Sequence, residues 1–491
     1  MPSEPPSIPS AKKRRSWWPV TLVLAAVLAF GGIPGIYLLE KKRGRAAWAA
    51  YERDALQRGV KLKFSDYLPP QVPAAENFAS IPIFDAVFRA SDANQKIPDP
   101  FALPGGAGKP PQLGDLFKQK RIDLAAWQKF FVENKALADA GDNPAADVLM
   151  ALDRYRAPLQ ELREAGNRPH CRFPVRWEKA FAAALPHGGV LQNAAKLHAL
   201  RVSCHLALGD SAAAYQAFRD GLRLATVIRD EPSLILGLVR LSIAATMQAS
   251  VWDGLAGRQW AAEDLRKIEG DLATLDWLKD YTFAMSSERG GTNLTIDLLC
   301  RDRTQFETLF PASPSEDRWT LRLYPTGWFY QSQVRANHFM DELLRRVEPD
   351  RRRYFGDRPV PSSPKNLGHI WVKVYYMYFA TWSPVMEVIV NKFVQGGSVT
   401  DQMRLACALE RFRLERDAYP AALSELTPAF IPEVPVEIVN GQPYRYRPTD
   451  DGGFFLYSVG MDLRDDGGVM DPALTPGKQK DWVLTYPARN P

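Results

Sequence analysis

The feature that most constrains this sequence is an uncharged apolar stretch near its amino end. From Pro19 to Leu39, 21 consecutive residues include no Asp, Glu, Lys or Arg. About 20 helical residues, each adding about 1.5 Å, cross the hydrocarbon core of a bilayer. The stretch therefore predicts a single transmembrane helix over residues 19–39, through which the chain contacts the lipid bilayer.

Residues typical of a membrane–water interface flank this stretch. They are Lys12–Arg15, Trp17, Trp18, Tyr37 and Lys41–Arg45. Basic and aromatic side chains favour the headgroup regions on either side of a span. Cleavage near the small residues Ala29 and Gly31 would make the stretch an export signal, but its apolar character continues to Leu39, which favours an uncleaved anchor.

The side of the membrane on which the body lies is predicted from the lengths of the segments before and after the span. Basic residues are almost equally numerous on both sides, so the positive-inside rule decides little. The first ten residues contain four prolines, and residues 1–18 are predicted to be a disordered cytoplasmic tail. A short tail before a long body indicates export of the body. We therefore expect a single-pass protein of the bacterial inner (cytoplasmic) membrane, with the bulk of the chain in the periplasm.

The composition indicates a folded, water-soluble body beyond the anchor. Apolar residues make up 46% of the 491 residues and charged residues 24%, which excludes a disordered chain and a protein with many spans. A net charge of +6 is too dilute to predict a nucleic-acid partner. Four cysteines are too few for a disulfide-dense scaffold in a chain of this length.

Proline-rich joints divide the first part of the body. Leu68–Pro73 and Pro98–Pro111 cannot continue a helix, because proline lacks the amide hydrogen and clashes with the preceding turn. Residues 40–115 are therefore predicted to form a connector of extended and helical segments. Over residues 116–395, apolar residues recur every three or four positions, which predicts an α-helical domain.

The region Val190–Asp230 predicts a helical hairpin. Gly209 suits the end of one helix and Asp210 the beginning of the next. Gly221, on the second helix, lets a neighbouring helix approach closely. The second helix resembles that of a tetratricopeptide repeat, but the first helix matches less well and no fixed repeat period follows. Stacked helical hairpins are thus the predicted architecture of the central domain.

The last part of the chain, residues 396–491, predicts a small α+β module. Thr400–Asp417 has the spacing of an amphipathic helix. Three strand-like runs follow: Tyr444–Tyr446, Phe454–Gly460 and Trp482–Leu484. A helix followed by an antiparallel sheet is the simplest arrangement. The predicted fold class is mainly α, with an N-terminal single transmembrane helix, a central domain of stacked hairpins and this small C-terminal module.

The order of motifs in this module resembles the globular domain of the type II secretion major pseudopilins. The shared features are a helix, Tyr419-Pro420, Leu423-x-x-Leu426, a tyrosine strand, Tyr457-Ser458-Val459-Gly460 and an acidic loop. The resemblance implies a module that binds or scaffolds, linked to a secretion or pilus-like system. The whole layout is similar to that of uncharacterised membrane-anchored bacterial proteins, a likeness that implies no activity.

The acidic loop of the module is a candidate metal site. Its carboxylates belong to Asp462, Asp465, Asp466 and Asp471. Calcium takes six to eight oxygen ligands, and a glycine-containing acidic loop supplies several of them. The resemblance to major pseudopilins also implies calcium in this loop. A solvated acidic turn is the alternative, because Arg464 lies within the loop and the spacing is not that of an EF-hand.

The spacing of cysteine and histidine residues indicates little chemistry. Cys171 and Cys204 are the first candidates for a disulfide if the body is exported, and free buried thiols are the alternative. His198 and His205 lie seven residues apart, which is about 10 Å along a helix, so they do not form a zinc pair by themselves. No Cys-x-x-Cys motif occurs in the sequence.

Two functions are consistent with the sequence. The first is a non-enzymatic envelope protein that acts as an interaction scaffold for an unknown protein partner. The second is a membrane-anchored periplasmic hydrolase with its site in the helical domain, although the sequence has neither Gly-x-Ser-x-Gly nor His-Glu-x-x-His. A groove along helical hairpins favours the scaffold, whereas a deep pocket gathering His, Asp, Glu or Ser favours the enzyme. No catalytic residue is predicted, and the scaffold is preferred.

Overall fold

Helices account for most of the residues that the structure describes. The structure is a computed structural model that describes Thr21 and residues 32–106, 108–116, 118, 120–309, 323–358, 375–469 and 480–486. The helices in these ranges are α1 (Ile33–Gln57), α2 (Pro82–Asp92), α3 (Leu124–Glu133), α4 (Pro144–Leu152), α5 (Arg156–Ala165), α6 (Pro186–Ala207), α7 (Ser211–Val227), α8 (Leu234–Ala256), α9 (Ala262–Ala273), α10 (Trp277–Arg301), α11 (Gln305–Leu309), α12 (Thr326–Arg345) and α13 (Met377–Arg416). The strands are β1 (Val347–Glu348), β2 (Arg353–Tyr354), β3 (Arg445–Pro448), β4 (Phe454–Ser458) and β5 (Trp482–Tyr486). The prediction of a mainly α protein with a small antiparallel sheet is confirmed.

Short polar residues and prolines mark where the helices begin. The side chains of Asp123, Asn143 and Asp276 accept hydrogen bonds from backbone amides in the first turns of α3, α4 and α10. Pro82 and Pro186 are the first residues of α2 and α6. These residues satisfy or remove amide groups that have no partner inside the helix, so helix starts are encoded locally.

The predicted helical hairpin is formed by α6 and α7. Gly209 has a φ of 80° in the turn, and the Asp210 side chain accepts a hydrogen bond from the amide of Ala213. On α7, Gly221 lies so close to α8 that an added Cβ would be 2.5 Å from Met247 Sδ. Both predicted roles, the turn glycine and the close approach at Gly221, are confirmed.

Among the described residues, only α8 is long and apolar enough to cross a membrane, and it is mostly buried in the fold. Its Arg240 is 2% exposed and donates a hydrogen bond to Asp280 at 2.8 Å, as suits a helix of a protein core. The span predicted over residues 19–39 falls largely outside the described residues, as does the tail over residues 1–18. The described helices add no support for that span.

The region predicted as a connector, residues 40–115, packs on the body at several points, although more than half of its described residues are exposed. Its first part belongs to α1, which lies against α12. At the closest point, an added Cβ on Gly327 would lie 2.0 Å from the carbonyl oxygen of Glu40. Further along, Phe78 and Phe84 are fully buried. The proline-rich joints are mostly exposed, and they turn the chain at the surface between these buried points.

The long helix α13 continues into the C-terminal sheet. Strands β3, β4 and β5 form one antiparallel sheet in that order, with Tyr446 opposite Leu456 and Leu456 opposite Leu484. Leu405 of α13 belongs to the same hydrophobic cluster as Leu456, Leu484 and Trp252 of α8. The boundary predicted between residues 395 and 396 falls inside α13. The C-terminal module therefore shares its core with the central helices.

We expect Gly327→Ala to destabilise the protein, because the added methyl group meets backbone atoms of α1. Overpacking of this kind costs about 1–3 kcal/mol. Denaturant titration of the detergent-solubilised chain should show a loss of that order in the free energy of unfolding. Gly270→Ala on α9, where an added Cβ has no neighbour within 4 Å, is the matched control. It should raise the free energy of unfolding by up to about 1 kcal/mol, because alanine favours a helix more than glycine does. Equal effects of the two substitutions would contradict the close packing of α1 on α12.

Candidate functional site

The predicted acidic loop follows β4 at the surface. The carboxylate of Asp465 accepts hydrogen bonds from the Gly467 amide and the Tyr457 hydroxyl, both at 3.0 Å. Arg445 Nε donates to the same carboxylate at 3.1 Å. The Gly467 amide, with the two side chains, holds the pKa of the Asp465 carboxyl below its usual value. Donors of the protein itself therefore engage the central carboxylate of this loop.

Two further predicted calcium ligands, Asp462 and Asp466, also have partners in the protein. Asp462 accepts a hydrogen bond from the amide of Arg464, and Asp466 lies 3.5 Å from Lys480 Nζ. Within the described ranges, no three His, Cys, Asp or Glu side chains are grouped so as to hold a metal ion. Asp471 lies outside those ranges. Calcium in this loop stays a prediction.

A buried carboxylate that the sequence analysis missed fixes the acidic loop. Asp481, directly before β5, is fully buried, and its Oδ2 accepts hydrogen bonds from the amides of Asp466 and Gly468 at 3.1 and 2.8 Å. Burial raises the pKa of the Asp481 carboxyl. The available signal was an aspartate immediately before the apolar run Trp482–Leu484, where a buried carboxylate needs backbone donors.

The cysteines are free thiols in this structure: Cys171, Cys204, Cys300 and Cys407. The disulfide suggested between Cys171 and Cys204 is not formed, and the alternative of separate thiols is what the structure contains. Burial raises the pKa of Cys204 to about 12. A thiol with such a pKa stays protonated at neutral pH, so Cys204 acts as a packing residue.

Two of the histidines are core residues. His187 stacks against Phe88 and Phe173, with ring centroids 5.5 and 3.9 Å away. Burial lowers the pKa values of His187 and His198 to about 3. Both imidazoles are therefore neutral at physiological pH, and neither belongs to a group of metal ligands.

An open groove lies between α8, α13 and the loop over residues 112–118, with a volume of about 620 Å³. Apolar side chains of α8, spaced three or four residues apart, line it: Leu238, Leu241, Ala245 and Ala249. This stripe spans about 17 Å, or three helical turns. Lys118 and Lys392 also line the groove and are exposed. The groove therefore combines an apolar wall with two cationic side chains.

A second open cavity, of about 470 Å³, lies where α1, α10 and α12 meet. We call it the arginine cleft, and its polar lining is Arg58, Lys61, Tyr67, Ser286, Arg289, Asp341 and Arg345. The buried Asp341 carboxylate lies 2.7 Å from Arg289 Nη2 and 3.0 Å from Arg58 Nη2. The Tyr51 hydroxyl donates to it at 3.0 Å, and burial raises the pKa of Tyr51. Donors from two other helices thus hold this carboxylate.

A buried polar contact between α10 and α12 supports the arginine cleft. Asn293 Nδ2 donates to the carbonyl oxygen of Leu62 at 3.0 Å, and Asn293 Oδ1 accepts from Asn337 Nδ2 at 2.7 Å. These bonds fix the segment that follows α1 against α10. The sequence signal was the polar run Ser286–Asn293 in the middle of a helix, and the sequence analysis missed it.

Comparisons with protein-family models, with curated proteins and with solved structures find no match to this chain. The groove and the arginine cleft are therefore interpreted from their own chemistry. The groove suits an apolar segment of another protein, and the cleft suits an anion.

The buried histidines make a testable contribution to acid sensitivity. Because the folded pKa of His198 is about 3, the unfolded chain binds more protons between about pH 3 and 6.5, and this contribution lowers stability as the pH falls. Burial raises the pKa values of Glu231 and Glu288 to about 7, which acts in the opposite direction between about pH 4.5 and 7. A variant must therefore be compared with the wild type at each pH.

We expect the free energy of unfolding of His198→Gln to rise by about 2 kcal/mol relative to that of the wild type when the pH falls from 7 to 5. The reason is that the variant lacks an imidazole that can take up a proton only in the unfolded chain. Denaturant titrations at the two pH values measure this difference. Ala262→Gln, which introduces the same amide at an exposed position without changing a titratable group, is the control and should leave the pH dependence unchanged. If the free energies of unfolding of His198→Gln and the wild type differ by the same amount at pH 7 and pH 5, this imidazole is not held neutral in the folded protein.

Proposed function

We propose that this chain is a non-enzymatic, single-pass, membrane-anchored envelope protein whose body binds a partner protein. The observation that carries the binding role is the groove along α8. Its apolar stripe runs for three turns beside two lysines, whereas a catalytic pocket gathers nucleophiles, acids and bases. The described lining of the groove contains one carboxylate, that of Asp115, and no histidine or cysteine, which favours the binding role over the hydrolase alternative.

The beginning of α1 supports the proposed anchor. Four large apolar side chains are more than half exposed there: Ile33, Ile36, Leu38 and Leu39. Exposed apolar residues on several sides of a helix suit lipid better than water. From Glu40 onward the same helix packs on α12. The last residues of the proposed span, from Ile33, thus belong to the helix that enters the body, and we propose that the body lies on the periplasmic side.

The groove suits one kind of occupant, an amphipathic helix of the partner that carries acidic side chains. The apolar stripe from Leu238 to Ala249 matches about three turns of such a helix. The exposed ammonium group of Lys392 favours a partner helix with acidic residues beside its apolar face. Lys118 has the same preference, although its ammonium group already lies 3.8 Å from the Asp115 carboxylate. Charge complementarity therefore selects the partner and apolar burial provides the affinity.

The proposed link to a secretion or pilus-like system rests on the resemblance of the C-terminal module. A helix leading into an antiparallel sheet is compatible with that resemblance. Residues 397–410 of α13 are covered by the rest of the chain, so this part of the helix is not available to pack into a fibre. We therefore propose a fixed scaffold beside such a system and not a subunit of its filament.

The anchor is tested by charges placed in the apolar stretch. We expect the double variant Leu24→Arg, Leu28→Arg to leave the membrane fraction, because each arginine near the bilayer centre costs about 3 kcal/mol of insertion free energy. Alkaline extraction of membranes followed by ultracentrifugation measures the distribution. Ile235→Arg, at a 61% exposed position of α8, is the matched control and should stay with the membrane. Wild-type chain in the soluble fraction, with its amino end intact, would contradict the anchor.

The groove is tested by site-specific photocrosslinking in cells. A photoreactive residue at Ala245 should give one adduct with a different protein, and Lys392→Glu should reduce its yield severalfold because the charge pairing is reversed. The same photoreactive residue at exposed Ala262, on α9 and outside the groove, is the control and should not give this adduct. The proposal also requires that an acidic helical segment of the captured protein bind the purified chain.

Two outcomes would contradict the proposed use of the groove. One is an adduct of twice the chain mass, which would mean that a second copy occupies the groove. The other is an adduct whose yield is insensitive to Lys392→Glu.

A further inference from the structure

We infer that the arginine cleft is a binding site for a soluble phosphate-class oxyanion. Four cationic side chains line it, those of Arg58, Lys61, Arg289 and Arg345, together with one carboxylate, that of Asp341. Asp54 lies 2.9 Å from Arg58 Nε and offsets one further charge. The carboxylate of Asp66 also acts on Tyr67 of the lining. The described charges around the cleft therefore leave an excess of about one positive charge, which suits an oxyanion.

The buried guanidinium of Arg289 gives the lining of the cleft a donor without a partner among the described residues. Arg289 is 2% exposed and lines the cleft, yet its Nε has no hydrogen-bond partner among the described residues. Nη2 of the same group lies 2.7 Å from Asp341 Oδ1, an ion-pair distance without hydrogen-bond geometry. A buried donor without a partner is unfavourable, and an oxyanion in the cleft would satisfy it. Arginine donors arranged in a plane suit phosphate oxygens.

The segment between α1 and the first prolines builds the wall of the cleft. An added Cβ on Gly290 would lie 2.7 Å from the Cα of Phe64, so this segment lies directly on α10. The Tyr67 hydroxyl donates to the carbonyl oxygen of Lys61 at 2.9 Å. Burial raises the pKa of Tyr67 to about 12, so the phenol stays neutral beside the ligand. Lys61 and Arg345 are exposed at this wall. The Lys61 ammonium donates to the carbonyl oxygen of Asp66 at 3.3 Å and lies 5.7 Å from the centre of the Tyr67 ring, which keeps it beside the cleft.

The position of the cleft along α1 separates two sources of phosphate. Arg58 lies 19 residues beyond Leu39, which is about 28 Å of helix. If the proposed anchor ends at Leu39, headgroups of that membrane do not reach the cleft. The ligand is therefore a soluble phosphate or phosphomonoester and not a phospholipid headgroup.

The test uses the full chain in detergent with inorganic phosphate as the probe and chloride at matched ionic strength as the reference. Isothermal titration calorimetry should give saturable phosphate binding to the wild type. The double variant Lys61→Gln, Arg345→Gln should raise the dissociation constant about tenfold, since two charges are lost at the exposed wall. Lys96→Gln, Arg464→Gln removes two exposed charges outside the cleft and should change nothing.

Arg289→Lys tests the buried donor separately. It keeps the charge beside Asp341 but removes the guanidinium, and it should weaken phosphate binding at least as much as the double variant. The unfolding midpoint without phosphate shows whether this variant is folded. If Arg289→Lys is not folded, the double variant Lys61→Gln, Arg345→Gln alone tests the inference. Equal dissociation constants for the wild type and the double variant would overturn the inference.

A membrane arm decides the source of the phosphate. The chain is reconstituted into vesicles of phosphatidylcholine or of phosphatidylcholine with phosphatidic acid. Inorganic phosphate should bind equally in both. If the wild type loses phosphate binding in the vesicles with phosphatidic acid and the cleft double variant shows no such change, lipid headgroups occupy the cleft. The inference that the ligand is a soluble phosphate would then be wrong. None of these outcomes depends on the partner of the groove.

Discussion

The burial of α13 is the constraint on which the rest of the structure depends. Residues 397–410 of this 40-residue helix are buried on every side, except for half-buried Arg404. A helix covered all round removes apolar surface from water along its whole circumference. Its polar groups are matched: Asp401 lies 2.8 Å from Arg352, and Gln402 donates to the carbonyl oxygen of Trp482 at 2.7 Å. Helices, loops and sheet are therefore tied to one element.

The same helix gives the groove a firm wall. Gln248 and Trp277 both donate to the hydroxyl of Thr400, at 2.9 and 3.0 Å, which joins α8 and α10 to α13. An added Cβ on Gly396 would lie 2.5 Å from Leu241, so the two groove helices touch closely. A wall held by buried hydrogen bonds needs little reordering when a partner binds, which leaves more of the apolar burial available as affinity.

Local signals in the sequence were sufficient for the elements but not for their assembly. The hairpin turn at Gly209 and the strands around Tyr446 and Leu456 were predictable, because turn chemistry and strand alternation involve neighbouring residues. The arginine cleft was not, since Arg289 and Asp341 lie on separate helices and meet only through tertiary packing. The boundary at residues 395 and 396 was placed before the amphipathic helix predicted over Thr400–Asp417, whereas the helix begins at Met377. Local spacing does not show that a helix continues through a core.

The claim that one buried helix unites the central helices and the C-terminal module is tested most directly by native-state hydrogen exchange on the whole chain in detergent. Exchange rates are followed as denaturant is added below the unfolding transition. The structure predicts that amides of residues 397–410, of α8 and of β4 open together, with one free energy equal to that of global unfolding. Opening of α13 and the sheet as a separate unit of lower free energy, while α6 to α8 stay protected, would contradict it.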